Sequence, residues 1–352
     1  MRLIAVSKDN GDTKMLLPIA KKAMDLGHNV FIFAEGMGVV HYKQQQVKTF
    51  FRAAPNPDPH TSFDTEAVLE HLFPDAVLVG FPNPNENLSR TFALKAVELC
   101  VPVIGVEDYW GGVKRNLDIE YDMILTIDDY AAEIARGCLN SNVPVYVIGN
   151  HAIPGADYVS PPAVIEGIAY LREKFDKVFV YGGGNVPYTT EELKLLVLSL
   201  YKTHGDWCLV PRYHPNLKRQ PAKGVDETKL WEEVSDEILA PLGNRVQRLD
   251  AGNSDDMAIA CDGYFSSLGS SMNSSISRGV PTVAVITSAT IDEMKKSKLE
   301  NFPSVYLGGA QVLKEPTNVL PLLVKPTLEK QAMFKPLDAR LALNLIRSFF
   351  KL

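Results

Sequence analysis

Short apolar runs alternate with longer stretches of helical spacing along most of this chain. In residues 1–149 the runs are RLIAV, NVFIFA, AVLVG, PVIGV, MILTI and VYVIG. Each has strand length and is rich in Val and Ile. Each is nearly continuous rather than alternating, the pattern of parallel strands covered on both faces. Helical spacing fits between several of them, at 15–26, 88–99 and 129–137. This βα alternation predicts a doubly wound sheet.

Residues 150–163, NHAIPGADYVSPPA, break the rhythm with prolines and a glycine and read as a linker. The double proline suits the first turn of a connecting helix that runs to about Phe175. The alternation then restarts with KVFVYGGG, WCLVP, RVQRL, CDGYFS and TVAVI as strands. Thr189 with Glu192, and Thr290 with Glu293, have capping-box spacing ahead of helical patterns. A short helix is expected across 272–278, and LDARLALNLIRSFFKL reads as a closing helix. The expected organisation is an N-terminal Rossmann-like domain over 1–150, a linker and connecting helix over 151–175, a C-terminal Rossmann-like domain over 176–335, and a closing helix over 336–352. No short internal repeat links the halves. Open α/β sheets bind ligands outside the C-terminal ends of their strands, so two of them in tandem are expected to face a central cleft.

Composition reads as an ordinary soluble globular mix. The 352 residues suffice for about two domains of roughly 150 residues. The chain is 46% hydrophobic and 22% charged, with material for two cores. A net charge of −6 disfavours a nucleic-acid surface. No apolar run has the length of a membrane span, and the N-terminus reads as a first strand rather than a signal peptide. Cys100, Cys138, Cys208 and Cys261 lack CxxC spacing, which points to reduced thiols, a cytoplasmic setting and no zinc site.

Five loops at expected strand ends carry candidate chemistry. In SKDNGDTK, Gly11 permits a tight turn, and Asp12 reads either as a helix cap or as a carboxylate facing the ligand. In GVEDYWGG, Glu107 and Asp108 could supply a general base and Tyr109 with Trp110 a sugar-stacking platform; a solvated acidic turn over one buried Trp fits equally. In YGGGNVPY, Gly182, Gly183 and Gly184 expose backbone N–H groups to an anion, although the loop is neither GxGxxG nor a Walker A sequence. In RYHPN, Arg212 offers a permanent planar cation and His214 a proton donor, with Pro215 stiffening the turn. In SSLGSSMNSSISRGVP, Ser266, Ser267, Ser270, Ser271 and Ser274 crowd a glycine turn and a helix start, more hydroxyls than one cap requires. No DxD motif stands at a convincing loop, since Asp128-Asp129 and Asp255-Asp256 read as helix starts.

These stretches resemble the glycosyltransferase-B (GT-B) superfamily. GDTKMLLPIAKKAMDLGHNV looks like the first βα unit of these enzymes, and DGYFSSLGSSMNSSISRGVP like the donor-side segment. RYHPN is similar to the His-Pro loop of capsule-polymer and CDP-glycerol-type transferases and to the HxNP loop of non-hydrolysing UDP-GlcNAc 2-epimerases. VPVIGVEDYW and YDMILTIDDYAAEIA resemble the first-domain pattern of polysaccharide-biosynthesis proteins. The sequence departs from the family at two places. Asp12 stands where many transferases have a basic His, and Ser274 stands where many have a Glu that grips the nucleotide ribose.

The resemblance implies an enzyme that moves a sugar or related group from a nucleotide-activated donor to an acceptor hydroxyl, in polysaccharide or glycoconjugate biosynthesis. Asp12, Glu107, Asp108 and His214 would be the catalytic set. Gly182–Gly184, Arg212, His214 and the serines would hold a CMP-, CDP- or UDP-linked donor, and Gly11, Tyr109 and Trp110 the carbohydrate or glycoconjugate acceptor. No tightly bound cofactor or metal and no nucleic acid is expected, and peripheral membrane contact stays open. The alternatives on the same fold are a UDP-sugar 2-epimerase or hydrolase and a non-catalytic sugar-nucleotide binder.

Overall fold

A computed structural model of the chain describes residues 1–49, 51–53, 64–81, 88–184, 188–213 and 220–351. They form two compact units, Met1–His151 with Lys335–Leu352, and Ala152–Phe334. The 151–175 segment expected to link the domains falls within the second unit except for His151, and the closing helix joins the first unit.

The first unit holds β1 (Arg2–Ser7), β2 (Asn29–Glu35), β3 (Phe51–Ala53), β4 (Ala76–Gly80), β5 (Val103–Val106), β6 (Met123–Thr126) and β7 (Val145–Val147), all parallel in the order β3-β2-β1-β4-β5-β6-β7. Its helices are α1 (Asn10–Asp25), α2 (Gly36–Gln44), α3 (Thr65–Leu72), α4 (Leu88–Glu98) and α5 (Asp129–Cys138). The central strands β4, β5 and β6 are buried end to end because helices cover both faces. Ile4, Val6, Val77, Val79, Phe92 and Ile124 lie at the centre of this core. The chain winds from β1 outward to β3, then returns to the far side of β1 with β4. Strand order therefore reverses between β1 and β4, and a crevice opens there at the strand ends.

The second unit begins with α6 (Pro162–Arg172) and has β8 (Lys177–Gly182), α7 (Tyr188–Tyr201) and β9 (Trp207–Arg212). A small hairpin, β10 (Pro221–Ala222) and β11 (Asp226–Leu230), and the helices α8 (Trp231–Leu239) and α9 (Ser254–Ala258) come next. Then follow β12 (Gly263–Ser266), α10 (Ser271–Ser277), β13 (Thr282–Val285), α11 (Ser288–Lys296), α12 (Pro303–Tyr306), β14 (Gln311–Leu313) and α13 (Leu328–Ala332). The parallel sheet runs β14-β13-β12-β8-β9, with its reversal between β8 and β12.

Several elements depart from the sequence pattern. RVQRL is not a strand; it makes a single bridge, Val246 to Leu209, along β9. Its arginines are used sideways instead, Arg245 over the Trp207 ring and Arg248 on Asp236. β3 and β14 have three residues each, too short for an apolar run to stand out. The box at Thr290 is shifted by three residues: Thr287 caps α11, and Thr290 supplies the reciprocal bond.

The closing helix, α14 (Ala339–Phe349), is capped by Asp338, whose Oδ1 accepts from the Leu341 amide at 2.8 Å. It packs on α1 through Ala342, Leu343 and Ile346, all fully buried. A bridge between Asn150 and Pro336 ties its approach to the end of the first unit's sheet. Ile346→Ala should therefore cost the first unit about 2–5 kcal/mol, read as a lower urea midpoint by the fluorescence of Trp110; an unchanged midpoint would contradict this packing role.

Candidate functional site

Asp12 is the third residue of α1, not its cap; the cap position is Asp9. The buried face of α1 carries Met15, Leu16, Ile19, Ala20 and Ala23, and Asp12 falls on that face. It is 1% exposed in the crevice between β1 and β4. Its Oδ2 accepts from the Lys8 amide at 3.0 Å, and the Thr13 hydroxyl lies 3.3 Å from Oδ1. Thr13 is fixed in turn by Ser7 and the Asp9 carbonyl. Burial, with Asp108 nearby as a second cause, holds the Asp12 carboxyl well above the ordinary carboxylate range. Two glycines make room for it. A Cβ on Gly80 would lie 2.3 Å from the Asp12 Cβ, and one on Gly11 would lie 1.8 Å from Asp108 Oδ2. Gly11 thus serves close approach rather than the tight turn expected of it.

The β5 end supplies the neighbouring acids. Asp108 is partly buried, and burial pushes it up to about 6, with Asp9 raising it further and Arg115 lowering it. Glu107 points inward and is wholly buried. Its Oε1 accepts from the Val113 amide at 3.1 Å, while Oε2 has no partner. Desolvation pushes it up to about 8. The acidic turn is therefore not solvated. Glu107 holds the Gly111–Gly112 loop from beneath, and Asp108 is the carboxyl placed beside Asp12. Trp110 is 2% exposed, and its Nε1 donates to Asp128 Oδ2 at 2.7 Å, so it offers no open stacking face. Tyr109, edge-on to it at 5.3 Å, remains half-exposed. Asp128 also caps α5 through Ala131, and burial raises it to about 6.

In the second unit, Ser266 at the β12 end donates to the Gly182 carbonyl at 2.7 Å. Gly182 is buried against Tyr264, and Gly183 and Gly184 are half-exposed beyond it. Glu192 was read from the sequence as half of a capping box, but it is fully buried and accepts from the Tyr181 hydroxyl at 2.9 Å. Its other oxygen, Ser267 Oγ and Thr189 Oγ1 have no hydrogen-bond partner. Burial pushes Glu192 up to about 8, and the nearby Ser267 and Tyr181 hydroxyls lower it. The helical pattern carried the signal, since Thr189, Leu193, Leu196 and Leu200 share its buried face.

Other expected donor-binding residues are engaged in the fold. Arg212 donates to the Leu249 carbonyl at 2.8 Å and the Gly252 carbonyl at 2.6 Å, so its guanidinium fastens the 249–252 loop rather than standing free. The Ser274 hydroxyl lies 2.7 Å from the Ala152 carbonyl and 3.0 Å from Asp255. Ser270 is exposed at the start of α10, and Ser271 is almost buried. His214 lies outside the described residues. Among the described residues, no group of three or more His, Cys, Asp or Glu side chains is placed to hold a metal ion, and no helix is long and apolar enough to cross a membrane. A cavity of about 780 Å³ opens at the opposite ends of β5 and β6, beside Pro102, Asp122 and Cys138, away from these acids.

Two parallel doubly wound units in one chain, each with a buried acid at its strand-order reversal, define a fold class. The chain has the GT-B fold of glycosyltransferases and UDP-N-acetylglucosamine 2-epimerases. Three solved structures illustrate the likeness. A glycosyltransferase from Rickettsia africae is 13% identical, with 99% of this chain and 98% of that one covered at a TM-score of 0.61. The UDP-GlcNAc 2-epimerase of Methanocaldococcus jannaschii is 14% identical, with 100% of both chains covered and a TM-score of 0.60. S. aureus MnaA, in a co-structure with UDP, is 15% identical, with 99% and 97% covered and a TM-score of 0.63. No family model matches the sequence, and no curated protein matches it.

The buried acids set a pH dependence. Glu107 and Glu192 bind protons more tightly folded than unfolded, where a glutamate titrates near ~4.3. Their contribution is thus fully present below about pH 4.3 and is lost as pH rises towards about 8. Glu192→Gln and Glu107→Gln should each raise Tm relative to the parent at pH 8 and leave it nearly unchanged at pH 4.5. Parallel Tm–pH curves for variant and parent would contradict this.

Proposed function

We propose that the chain is a nucleotide-sugar-dependent enzyme of the glycosyltransferase type. The first unit would present the acceptor hydroxyl to a carboxylate base, and the second would hold the donor nucleotide. The observation that carries this reading is Asp12, a carboxyl buried in the β1–β4 crevice, where open α/β sheets bind ligands. A base whose proton affinity is raised above the ordinary carboxylate range takes a hydroxyl proton more readily than an ordinary carboxylate does. Asp108, at about 6, is mostly ionised at neutral pH, and its charge is the second cause, after burial, of the raised proton affinity of Asp12. In the second unit, the Gly182–Gly184 turn brings bare backbone to the ligand. Ser267 Oγ and one carboxyl oxygen of Glu192 lack a hydrogen-bond partner there, while the other Glu192 oxygen accepts from Tyr181. The donor chemistry to test first is uridine-linked, because MnaA was solved with UDP; CMP- and CDP-linked donors follow.

One observation favours a second reading. Asp12 and Asp108 are neighbouring carboxyls whose proton affinities are both raised, an arrangement suited to paired acid and base steps on the sugar itself, as an epimerase or hydrolase requires. Incubation with UDP-GlcNAc separates the two, since epimerisation or sugar release proceeds without an acceptor and transfer does not.

Thermal-shift titration against UDP, CDP, CMP, GDP and dTDP tests the donor side. A nucleotide at a hundredfold its Kd should add about 2.7 kcal/mol, with the shift reduced in Ser267→Ala. Asp12→Asn should keep that nucleotide shift and lose about 10²–10⁴ in turnover. Stabilisation by none of the five nucleotides would contradict the proposal and favour a fold kept without its chemistry.

A further inference from the structure

A buried chain of hydroxyls runs from Asp12 into the core of the first unit. Thr13 Oγ1 has three oxygens within reach: the Asp9 carbonyl at 2.6 Å, Ser7 Oγ at 3.0 Å and Asp12 Oδ1 at 3.3 Å. Ser7 Oγ lies in turn 3.4 Å from the Tyr42 hydroxyl. Ser7, Thr13 and Tyr42 are fully buried, as Asp12 nearly is. Helix α2 closes over this chain. Its buried residues are Gly38 and Tyr42, four apart and so on one face. A Cβ on Gly38 would stand 3.1 Å from Thr13 Oγ1 and 3.2 Å from Ser7 Oγ, so glycine lets the helix sit down on the pair. The Gly38 amide donates to the Lys8 carbonyl at 2.8 Å, and the Lys8 amide donates to Asp12 Oδ2.

Counting hydrogens fixes how the chain is used. A hydroxyl has one hydrogen to donate and two lone pairs with which to accept. A carbonyl only accepts, so the shortest of the three contacts assigns the Thr13 hydrogen to Asp9. Ser7 can donate, and so can Asp12 once it holds a proton; both then find an acceptor in Thr13 Oγ1. An ionised Asp12 has no hydrogen to offer. It could draw on Thr13 only by taking that hydrogen from the Asp9 carbonyl, so the help Thr13 gives the carboxylate is partial. The protonated carboxyl is served with no other bond broken. At 3.3 Å the contact is longer than a full O–H···O bond, and catalytic hydrogen bonds of this kind tighten once the reacting complex forms.

We propose that Thr13 is a positioning residue for Asp12: fastened to the Asp9 carbonyl and backed by Ser7 and Tyr42, its hydroxyl oxygen accepts the proton that Asp12 gains. This rests on the reading of Asp12 as the base. When Asp12 takes the proton of an acceptor hydroxyl, the substrate O–H bond breaks and an Oδ1–H bond forms. Thr13 then stabilises that product by one hydrogen bond, while the Lys8 amide holds Oδ2. Two other carboxyls act on Asp12, Asp108 from the loop after β5 and Asp9 from the turn before α1. Tyr42 is the titratable group that faces the chain from α2, and Ser7 of β1 and Gly80 of β4 bring no charge. Both aspartates stay in place when Thr13 is changed, so such a change isolates the hydroxyl.

Titration of the Asp12 carboxyl by 13C NMR in the full chain, with neither nucleotide nor acceptor present, tests the role of Thr13. Thr13→Val removes the acceptor oxygen at nearly constant shape. The Asp12 midpoint should then fall by about one pH unit, the tenfold change that one hydrogen bond of ordinary strength makes. Thr13→Ser keeps the hydroxyl and should restore the parent midpoint, which loss of packing alone would not predict. Ser7→Ala removes a competing donor and should not lower the midpoint. Should Thr13→Val fail to fold, Thr13→Ala carries the same test. A midpoint that rises in Thr13→Val would make Thr13 a donor to the carboxylate, and an unmoved one would make the contact incidental; either overturns the inference. The two readings fail separately. A raised parent midpoint that Thr13→Val leaves in place strikes the role of Thr13 alone. A parent midpoint near ~4 strikes the reading of Asp12 as the base, and the role of Thr13 with it.

Discussion

Each unit is arranged around one costly constraint, a carboxyl carried into the crevice where strand order reverses. Asp12 comes from α1, the helix after β1, and sits between β1 and β4. Glu192 comes from α7, the helix after β8, and lies by Ser267 at the β8–β12 reversal. Removing a carboxylate from water costs several kcal/mol unless hydrogen bonds or a bound proton compensate. In the first unit the Lys8 amide and Thr13 supply part of that compensation, and in the second the Tyr181 hydroxyl does. The uncompensated part shows as a raised proton affinity of both carboxyls.

The glycines and the surrounding polar network follow from that constraint. Gly80 and Gly11 lack side chains because any Cβ there would enter the space of Asp12 or Asp108. Glu107 faces inward and anchors the loop after β5, which leaves Asp108 as the partner acid. Trp110 and Asp128 pair below the same loop and link it to the start of α5.

Much of this was legible in the sequence. Continuous Val- and Ile-rich runs marked most strands because both sheets are covered on both faces, and glycine or acidic residues at their ends marked the loops that matter. What escaped notice depends on long-range packing. Glu192 has the spacing of a local cap, and only its place on the buried helical face shows that it turns inward. Arg212 reads as a free cation until the 249–252 carbonyls come to meet it from forty residues away. Trp110 reads as a platform until Asp128 claims its N–H. The closing helix is legible as a helix, but its attachment to the first unit is not, because that depends on α1 offering a matching face.

The most direct measurement is a site-resolved carboxyl titration of Asp12 by 13C NMR in the full chain, with Asp108→Asn as the partner variant. Asp12 should titrate well above the ~3.9 of a free aspartate, and its midpoint should fall when the Asp108 charge is removed. A midpoint near ~4, unmoved by Asp108→Asn, would show an ordinary solvated carboxylate and contradict the role proposed for Asp12.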